Sequence, residues 1–336
     1  MQLARLGRSG PQVSRLSIGT MTFGAQVDEA TAHRLLDQAY EAGVNFFDSA
    51  EIYPAPATAE THGLSETILG RWMKRIPRDR VIIATKLAGA GDRPEGPRLP
   101  WVRGGCTTID RFHLSAACEA SLRRLGTDYI DLYQPHWPDR KTPIETQLEA
   151  VDRLIEQGKV RYLGLSNETA WGVTAFCASA GQRGARPAAA QNAYNLLQRR
   201  IEHGLAEACL QEQVGFVAYS PLAMGVLTGK YRNGRRPEQA RLTVFNRYGE
   251  MYLQDRLLAV ADAYLEVADR HGLDPTQLAY AWAGQQPVVT TVLSSFSRIE
   301  QLQPFLQSAQ LRLDGDVLAE LDGVRQSHDA RWNVLG

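Results

Sequence analysis

The chain has 336 residues, and its 37 Lys and Arg residues balance its 37 Asp and Glu residues, so the formal net charge is zero. This balance argues against a nucleic-acid binder that works through bulk positive charge. Hydrophobic residues make up 44% and charged residues 22%, which is typical of a folded globular protein and not of a disordered chain.

The first ten residues, MQLARLGRSG, lack the apolar stretch of a secretory signal. No apolar run approaches the roughly 20 residues needed to span a bilayer. We therefore expect a cytoplasmic protein with neither a membrane partner nor a nucleic-acid partner. Four scattered cysteines form no CxxC pair, which argues against a disulfide framework and a zinc site. We expect all four to be packed thiols: Cys106, Cys118, Cys177 and Cys209.

In chain order, residues 3–15, with a Gly-Arg-Ser-Gly-Pro turn, predict a β-hairpin. Eight short apolar runs follow, as expected for parallel strands covered on both faces. They are Leu16–Thr20, Asn45–Asp48, Val81–Lys86, Ile130–Gln134, Tyr162–Ser166, Ala188–Asn192, Phe216–Ser220 and Val288–Leu293. Each run precedes a segment with helical spacing. Residues 1–336 therefore predict one α/β domain, a (β/α)8 TIM barrel with an N-terminal hairpin.

Capping signals place the helix ends. Asp28 predicts the start of a helix that Gly43 ends. Thr142 as N-cap, followed by proline and by Glu145 three residues later, predicts a capping box, and Gly158 predicts the end of that helix.

Two long insertions follow the third and seventh barrel strands, at Leu87–Thr108 and Leu222–Tyr252. Both are expected at the C-terminal face of the barrel, where long connections usually shape a substrate pocket, although plain surface loops would give the same pattern. A Gly-Ala-Gly sequence at 89–91 lacks the third glycine and the following helix of a dinucleotide fingerprint, so it does not predict a Rossmann site.

Polar residues stand at the C-terminal ends of three consecutive strands. Asp48 and Lys86 end the second and third strands, His136 follows the fourth, and Tyr53 lies five residues after Asp48. A nearby lysine ammonium favours a phenolate and so lowers a tyrosine pKa, which would make Tyr53 a usable proton donor. Taken singly, Asp48 and Lys86 also fit a structural ion pair, and His136 beside a tryptophan fits a packed ring.

These residues belong to motifs that resemble the aldo-keto reductases over essentially the whole chain, and within that superfamily the Tas-like branch. The motifs are FFDSAEIY at 46–53, ATK at 84–86 and YQPHWP at 133–138. Further matching segments are GTMTFG at 19–24, GLSN at 164–167, QNAYN at 191–195 and AYSPLAMGVLTGKY at 218–231. The resemblance implies that Tyr53 is the general acid, that Lys86 and Asp48 tune it, and that His136 orients the carbonyl group.

The resemblance also implies a cofactor site. Ser166, Asn167 and Gln191 would hold the nicotinamide carboxamide, and Tyr219 would stack on the ring. The remaining positions implied to bind the cofactor are Gly19, Thr20, Met21, Ser220, Pro221, Leu222, Gly225, Leu227, Lys230, Ser295, Ser297, Arg298 and Gln301. A substrate pocket is expected from Phe23, Trp101 and Trp137, each of which also fits core or loop packing.

Two positions depart from the family pattern. Pro135 precedes the candidate catalytic histidine; because proline donates no ladder hydrogen bond, it should end the strand. At the adenosine end, Ser295 replaces a glycine and Phe305 stands where an asparagine is common. Arg298 and Ser297 at a helix N-terminus still suit a 2′-phosphate, so NADPH is the expected cofactor and NADH the alternative.

The function expected from this resemblance is NADPH-dependent reduction of an aldehyde or ketone, a small-molecule substrate, without a metal. A second hypothesis is an NADP(H)-binding redox sensor or accessory subunit with little turnover. A third, a metal-dependent barrel enzyme, needs clustered ligands at the barrel mouth. The oligomeric state stays open.

Overall fold

The structure, a computed structural model, describes residues 1–89, 99–181, 184–244 and 246–332, without the side chains of 246–248 and 329–332. Ala90 and Gly91 of the Gly-Ala-Gly sequence lie outside these ranges. The strands are β1 Leu3–Arg5, β2 Gln12–Ser14, β3 Leu16–Gly19, β4 Phe46–Asp48, β5 Ile82–Leu87, β6 Ile130–Pro135, β7 Val160–Ser166, β8 Ala189–Ala193, β9 Gly215–Tyr219 and β10 Val289–Ser294.

Helices connect the strands. They are α1 Glu29–Glu41, α2 Leu64–Met73, α3 Arg111–Leu125, α4 Ile144–Glu156, α5 Ala170–Ser179, α6 Leu205–Gln211, α7 Arg241–Val244, α8 Asn246–Tyr252, α9 Asp255–Arg270, α10 Pro275–Gln285, α11 Leu302–Ser308 and α12 Gly315–Trp332. Short 3-10 segments occupy Arg78–Arg80, Arg103–Gly105, Arg200–Glu202, Ala223–Thr228, Arg232–Gly234 and Ile299–Gln301. None of the helices in the described ranges is both long enough and apolar enough to cross a membrane.

Strands β3 to β10 form a closed parallel barrel, in which β10 pairs with β3 to complete the ring. This confirms the predicted (β/α)8 architecture, and all eight predicted runs coincide with the observed strands to within two residues at either end. Parallel pairing aligns the C-terminal ends of the strands: Asp48 of β4 is opposite Ala84 of β5, and Lys86 of β5 is opposite Gln134 of β6.

The predicted hairpin is also confirmed, because β1 and β2 pair in antiparallel fashion. Leu6 and Val13 of the hairpin are fully buried with inward-facing residues of the barrel such as Phe46 and Leu132. The hairpin backbone contacts the start of β9, where Arg8 N–H donates to the Gln213 carbonyl at 2.9 Å. The hairpin therefore closes the N-terminal end of the barrel and leaves the other end for the site.

Most predicted helix ends are confirmed. The Asp28 carboxylate accepts a hydrogen bond from Thr31 N–H at the start of α1, and Gly43 and Gly158 follow α1 and α4 with φ of +87° and +73°. The capping box at Thr142 is wrong. Helix α4 begins one residue later than predicted, at Ile144, and the N-cap residue Pro143 makes no side-chain cap.

The side chain that satisfies this turn is Asp139. Its carboxylate accepts hydrogen bonds from the backbone N–H groups of Lys141 and Thr142, and the Thr142 hydroxyl donates to it at 2.7 Å. Thr142 is therefore a donor to a neighbouring carboxylate and not an acceptor for the helix, because the acidic side chain is the stronger acceptor.

Cysteine burial is as predicted at three positions. Cys118, Cys177 and Cys209 are buried free thiols, and burial raises the pKa of Cys118 and Cys209 to about 12. Cys106 is exposed, so the expectation of a packed thiol is wrong there. It lies in the connection after β5, where the turn at Gly104 and Gly105 holds it away from the apolar cluster formed by its neighbours.

Candidate active site

Four predicted residues come together at the C-terminal mouth of the barrel. Asp48 is the last residue of β4, Lys86 is the next-to-last of β5, and His136 directly follows β6. Tyr53 lies in the loop after β4, which is held to β5 where Ser49 N–H donates to the Ala84 carbonyl and Glu51 N–H to the Lys86 carbonyl. The loop therefore turns back across the barrel mouth.

Lys86 and Asp48 form a buried ion pair. The Lys86 ammonium donates to Asp48 Oδ1 and, at 2.8 Å, to the Ser49 carbonyl. The other carboxylate oxygen of Asp48 accepts from the side-chain amides of Gln191 at 3.0 Å and Gln134 at 3.3 Å. Burial lowers the pKa of Lys86, and the Asp48 charge opposes that shift. Asp48 thus both orients the ammonium and favours its charged form.

Tyr53 is adjacent to this pair. The Lys86 Nζ atom lies 5.1 Å from the centroid of the Tyr53 ring, and the ring packs edge-on against His136 with 5.4 Å between ring centroids. The positive charge and the imidazole are therefore both next to the phenol, which is the arrangement that the sequence interpretation requires.

His136 is held by its backbone. Pro135 is the last residue of β6, as expected, and the N–H of His136 still donates to the carbonyl of Leu87, the last residue of β5, at 2.8 Å. The Asn167 amide donates to the His136 carbonyl at 2.8 Å. Burial, and next the charge of Lys86, lower the pKa of His136 well below its ordinary value. The imidazole is accordingly neutral at physiological pH.

An apolar cluster borders Tyr53. Trp137, Ile52 and Val102 are buried in it, and Trp101 packs against it together with Tyr53. Trp101 and Trp137 therefore lie together in the cluster beside Tyr53. Phe23 does not: its side chain is fully buried in the main core between the barrel and the helices. The pocket role expected for Phe23 stays a prediction, and its ring packs in the core of this structure.

The residues expected to hold a nicotinamide ring come from the C-terminal ends of β7 and β9 and from the middle of β8. The Tyr219 hydroxyl donates to Asn167 Oδ1 at 2.7 Å, and Asn167 Nδ2 donates to Ser166 Oγ at 3.2 Å as well as to the His136 carbonyl. Gln191 is joined to Asn167 by a backbone hydrogen bond of 2.9 Å. These side chains form one network that reaches from Tyr219 to His136.

The segment after β9 has an unusual backbone. Ser220, Ala223, Met224 and Gly225 all have φ between +47° and +93°. Alternation of right- and left-handed residues forms concave arrays of N–H groups that bind anions. Of the other expected residues here, Pro221 and Leu227 are buried, and Leu222 is partly buried. The Lys230 side chain crosses over Gly225, where an added Cβ would be 2.8 Å from its Cε atom.

Two other cations, Arg241 and Arg298, act on the Lys230 ammonium beside this segment. Burial lowers the pKa of Lys230, and the charges of Arg298 and Arg241 lower it further. Arg241 is a residue that the sequence interpretation missed. Its sequence context, an arginine in a long polar insertion, is the same as that of the exposed Arg235 and Arg236, so only the fold distinguishes it.

The remaining expected residues cluster between β3 and the loop after β10. An added Cβ on Gly19 would be 2.6 Å from Ser295 Oγ, and Gln301 Oε1 accepts from Ser297 N–H at 2.9 Å. Thr20 is fully buried and Met21 is partly exposed at the same end of β3. Phe305 is buried against Tyr280 and Phe296. The departure from the family pattern at Phe305 is therefore a core-packing position.

Within the described ranges, no group of three or more His, Cys, Asp or Glu side chains is placed to hold a metal ion. A metal-dependent barrel enzyme, the third hypothesis, needs such a group.

The chain belongs to the aldo/keto reductase family, a family of oxidoreductases, whose sequence profile matches residues 15–326. Protein Tas of Escherichia coli is 42% identical over 97% of this chain and 98% of the relative. The uncharacterized oxidoreductase YrpG of Bacillus subtilis is 34% identical over 96% of both chains. A probable voltage-gated potassium channel subunit beta of Arabidopsis thaliana is 32% identical over 98% of both. These matches confirm the family resemblance.

Proposed function

We propose that this protein reduces an aldehyde or ketone to an alcohol with NADPH, and that Tyr53 is the proton donor. The observation that carries the proposal is the convergence of Tyr53 with the Lys86 ammonium, 5.1 Å from the ring centroid, and with the neutral His136 at the barrel mouth. A phenol beside a fixed cation is suited to give up a proton to a developing alkoxide.

The residues present fit a phosphate-bearing cofactor. The charges of Arg241 and Arg298 oppose the Lys230 ammonium, and a phosphate bound beside Lys230 would offset that repulsion. The left-handed backbone at residues 220–225 adds an anion-binding shape beside them. When bound, NADPH supplies the hydride that the carbonyl carbon receives. NADH is the alternative cofactor, and Arg298 is the residue expected to favour the extra phosphate of NADPH.

The protein groups then account for the proton. Tyr53 donates its hydroxyl proton to the carbonyl oxygen as negative charge develops there, and the Lys86 ammonium stabilises the phenolate that is left. Asp48, with amide donors on its other oxygen, holds Lys86 in place. His136 is neutral, so its ring can donate one hydrogen bond to the carbonyl oxygen and orient it. Solvent then reprotonates Tyr53.

Tyr53→Phe tests the assignment, because it removes the donated proton and keeps the ring. We expect kcat with an aldehyde panel to fall at least about 100-fold, and the Kd for NADPH measured by isothermal titration to stay close to that of the unmodified protein. Retained turnover in the variant would reject Tyr53 as the acid.

The second candidate is an NADP(H)-binding accessory subunit or redox sensor, and the observation that favours it is the 32% identity to a protein named as a potassium channel subunit. The two candidates differ in turnover. NADPH binding without its oxidation by any carbonyl compound would support the accessory role, whereas consumption of NADPH with the aldehyde panel supports the reductase.

We also infer a cytoplasmic location, which the four free thiols support because reducing compartments preserve them. Cell fractionation with an antibody tests this, and recovery from an oxidising compartment would contradict it.

A further inference from the structure

We propose that Glu51 and Arg103 form a positioning pair that sets the KM for the carbonyl substrate. The pair would hold the apolar cluster around Trp101, Val102 and Trp137, here called the substrate wall, against Tyr53. The proposal rests on the proposed reductase function. The Arg103 guanidinium contacts the Glu51 carboxylate with both terminal nitrogens, at 2.6 and 2.9 Å. The side chains are only 15% and 4% exposed. This bidentate geometry fixes direction as well as distance.

Glu51 lies in the loop that carries Tyr53 and is hydrogen-bonded to the end of β5, which carries Lys86. Its N–H donates to the Lys86 carbonyl at 2.9 Å, and its carboxylate accepts from Ala88 N–H just after β5. Two residues later, Tyr53 N–H donates to the Ala50 carbonyl at 3.0 Å. The carboxylate therefore has a fixed position relative to both Lys86 and Tyr53.

Arg103 is anchored to the wall. It directly follows Val102, which is buried in the apolar cluster, and Trp101 packs against the same cluster beside Tyr53 and Trp137. Arg103 has a φ of +47°, a conformation that residues other than glycine rarely adopt. The ion pair with Glu51 can hold Arg103 in this left-handed backbone conformation. Gly104 and Gly105, which follow it, have no side chains that could do so.

The pair connects these two anchors across 52 residues of sequence. If it is broken, the buried carboxylate loses its cation and the wall around Trp101 loses its attachment to the Tyr53 loop. Most residues proposed to bind the cofactor come from β7 to β10 and the segments after them, and three more, at 19–21, come from the end of β3. The hydrogen bonds described for the pair go instead to Lys86, to Ala88 and between the two partners. The loss should therefore affect the substrate and leave the cofactor.

Arg103→Gln and Glu51→Gln test this, with Arg103→Lys as the conservative variant that keeps the charge. We expect Arg103→Gln to raise the KM for the aldehyde at least about tenfold and to change kcat less than about threefold. Arg103→Lys should recover part of the KM, and the Kd for NADPH should stay unchanged in all three. If Arg103→Gln fails to fold, Glu51→Gln and Arg103→Lys carry the same comparison.

Arg78→Gln is the matched control, because Arg78 also forms a partly buried ion pair, with Asp131 at 2.7 Å, near the start of β6 at the opposite end of the barrel. It should lower stability without a change in KM. Hydrogen exchange at residues 99–106 should rise in Arg103→Gln and not in Arg78→Gln.

The outcomes separate the two proposals. An active protein whose KM is within about twofold in Arg103→Gln, or equally altered in Arg78→Gln, overturns the positioning pair alone. A protein that binds NADPH and reduces no carbonyl compound overturns the reductase function, and the positioning pair with it.

Discussion

The Lys86 ammonium and the Asp48 carboxylate form a hydrogen-bonded ion pair between neighbouring barrel strands, and each side chain is 1% exposed. Burial of a charge is tolerated only where a partner offsets the lost hydration. Asp48 provides that partner, and Gln134 and Gln191 complete the hydrogen bonds of its carboxylate. The ion pair is therefore supported from inside the barrel by two amide donors.

This pair predicts a coupled stability effect. Asp48→Asn leaves Lys86 without its anion and should lower the free energy of unfolding by about 3 to 5 kcal/mol, measured by urea denaturation. Lys86→Met should cost less, because two amides still donate to Asp48. The double variant Asp48→Asn with Lys86→Met should lose less stability than the sum of the two single losses, and it should have no activity. Additive losses in the double variant would show that the two residues are not coupled.

His136 predicts a stability change on the acid side. Its pKa is lowered in the folded protein by burial and by Lys86, so below its ordinary value of 6.5 the unfolded chain binds a proton that the folded protein does not. Stability contributed by the neutral ring is therefore complete above that pH and lost as pH falls. Between about pH 7.5 and 5, the unmodified protein should lose about 2 kcal/mol more than His136→Gln. Equal losses in urea titrations would contradict this.

Two helix glycines should respond in opposite directions to alanine. In α2, a Cβ on Gly70 would lie 2.5 Å from the Leu125 carbonyl oxygen, so Gly70→Ala must push α3 away and should cost about 1 to 3 kcal/mol. In α12, a Cβ on Gly323 meets nothing within 4 Å, and Gly323→Ala should stabilise by about 0.5 to 1 kcal/mol. Thermal melting of both variants checks the signs, and the same sign for both would refute the argument.

Arg298 should discriminate between the two nicotinamide cofactors. Removal of its charge in Arg298→Ala is expected to raise the Kd for NADPH about tenfold and to leave the Kd for NADH nearly unchanged, because only NADPH carries the additional phosphate. Isothermal titration with both cofactors measures this. Arg312→Ala, an exposed arginine after the end of α11, is the control and should alter neither. Equal weakening of both cofactors would place Arg298 elsewhere than at that phosphate.

The barrel and the candidate catalytic residues could be predicted from local patterns. Continuous apolar runs indicate parallel strands, and amphipathic segments between them indicate helices; each pattern is visible in a stretch of about ten residues. Parallel strands all end on one face, so residues at strand ends, such as Asp48 and Lys86, could be expected at one mouth. Their types then suggested the chemistry before any distance was known.

The tertiary structure alone decided which side chains are partners. Phe23 and Trp101 are both aromatic residues in connections that follow barrel strands, yet Phe23 is in the main core and Trp101 packs against the cluster beside Tyr53. The Thr142 hydroxyl donates to Asp139 and does not cap α4, and the sequence does not distinguish Arg241 from its exposed neighbours. The spacing of apolar residues indicates which face of a helix or strand is buried. The contact between Glu51 and Arg103 depends instead on how two loops, 52 residues apart in sequence, pack against each other, and local sequence patterns carry no information about that packing.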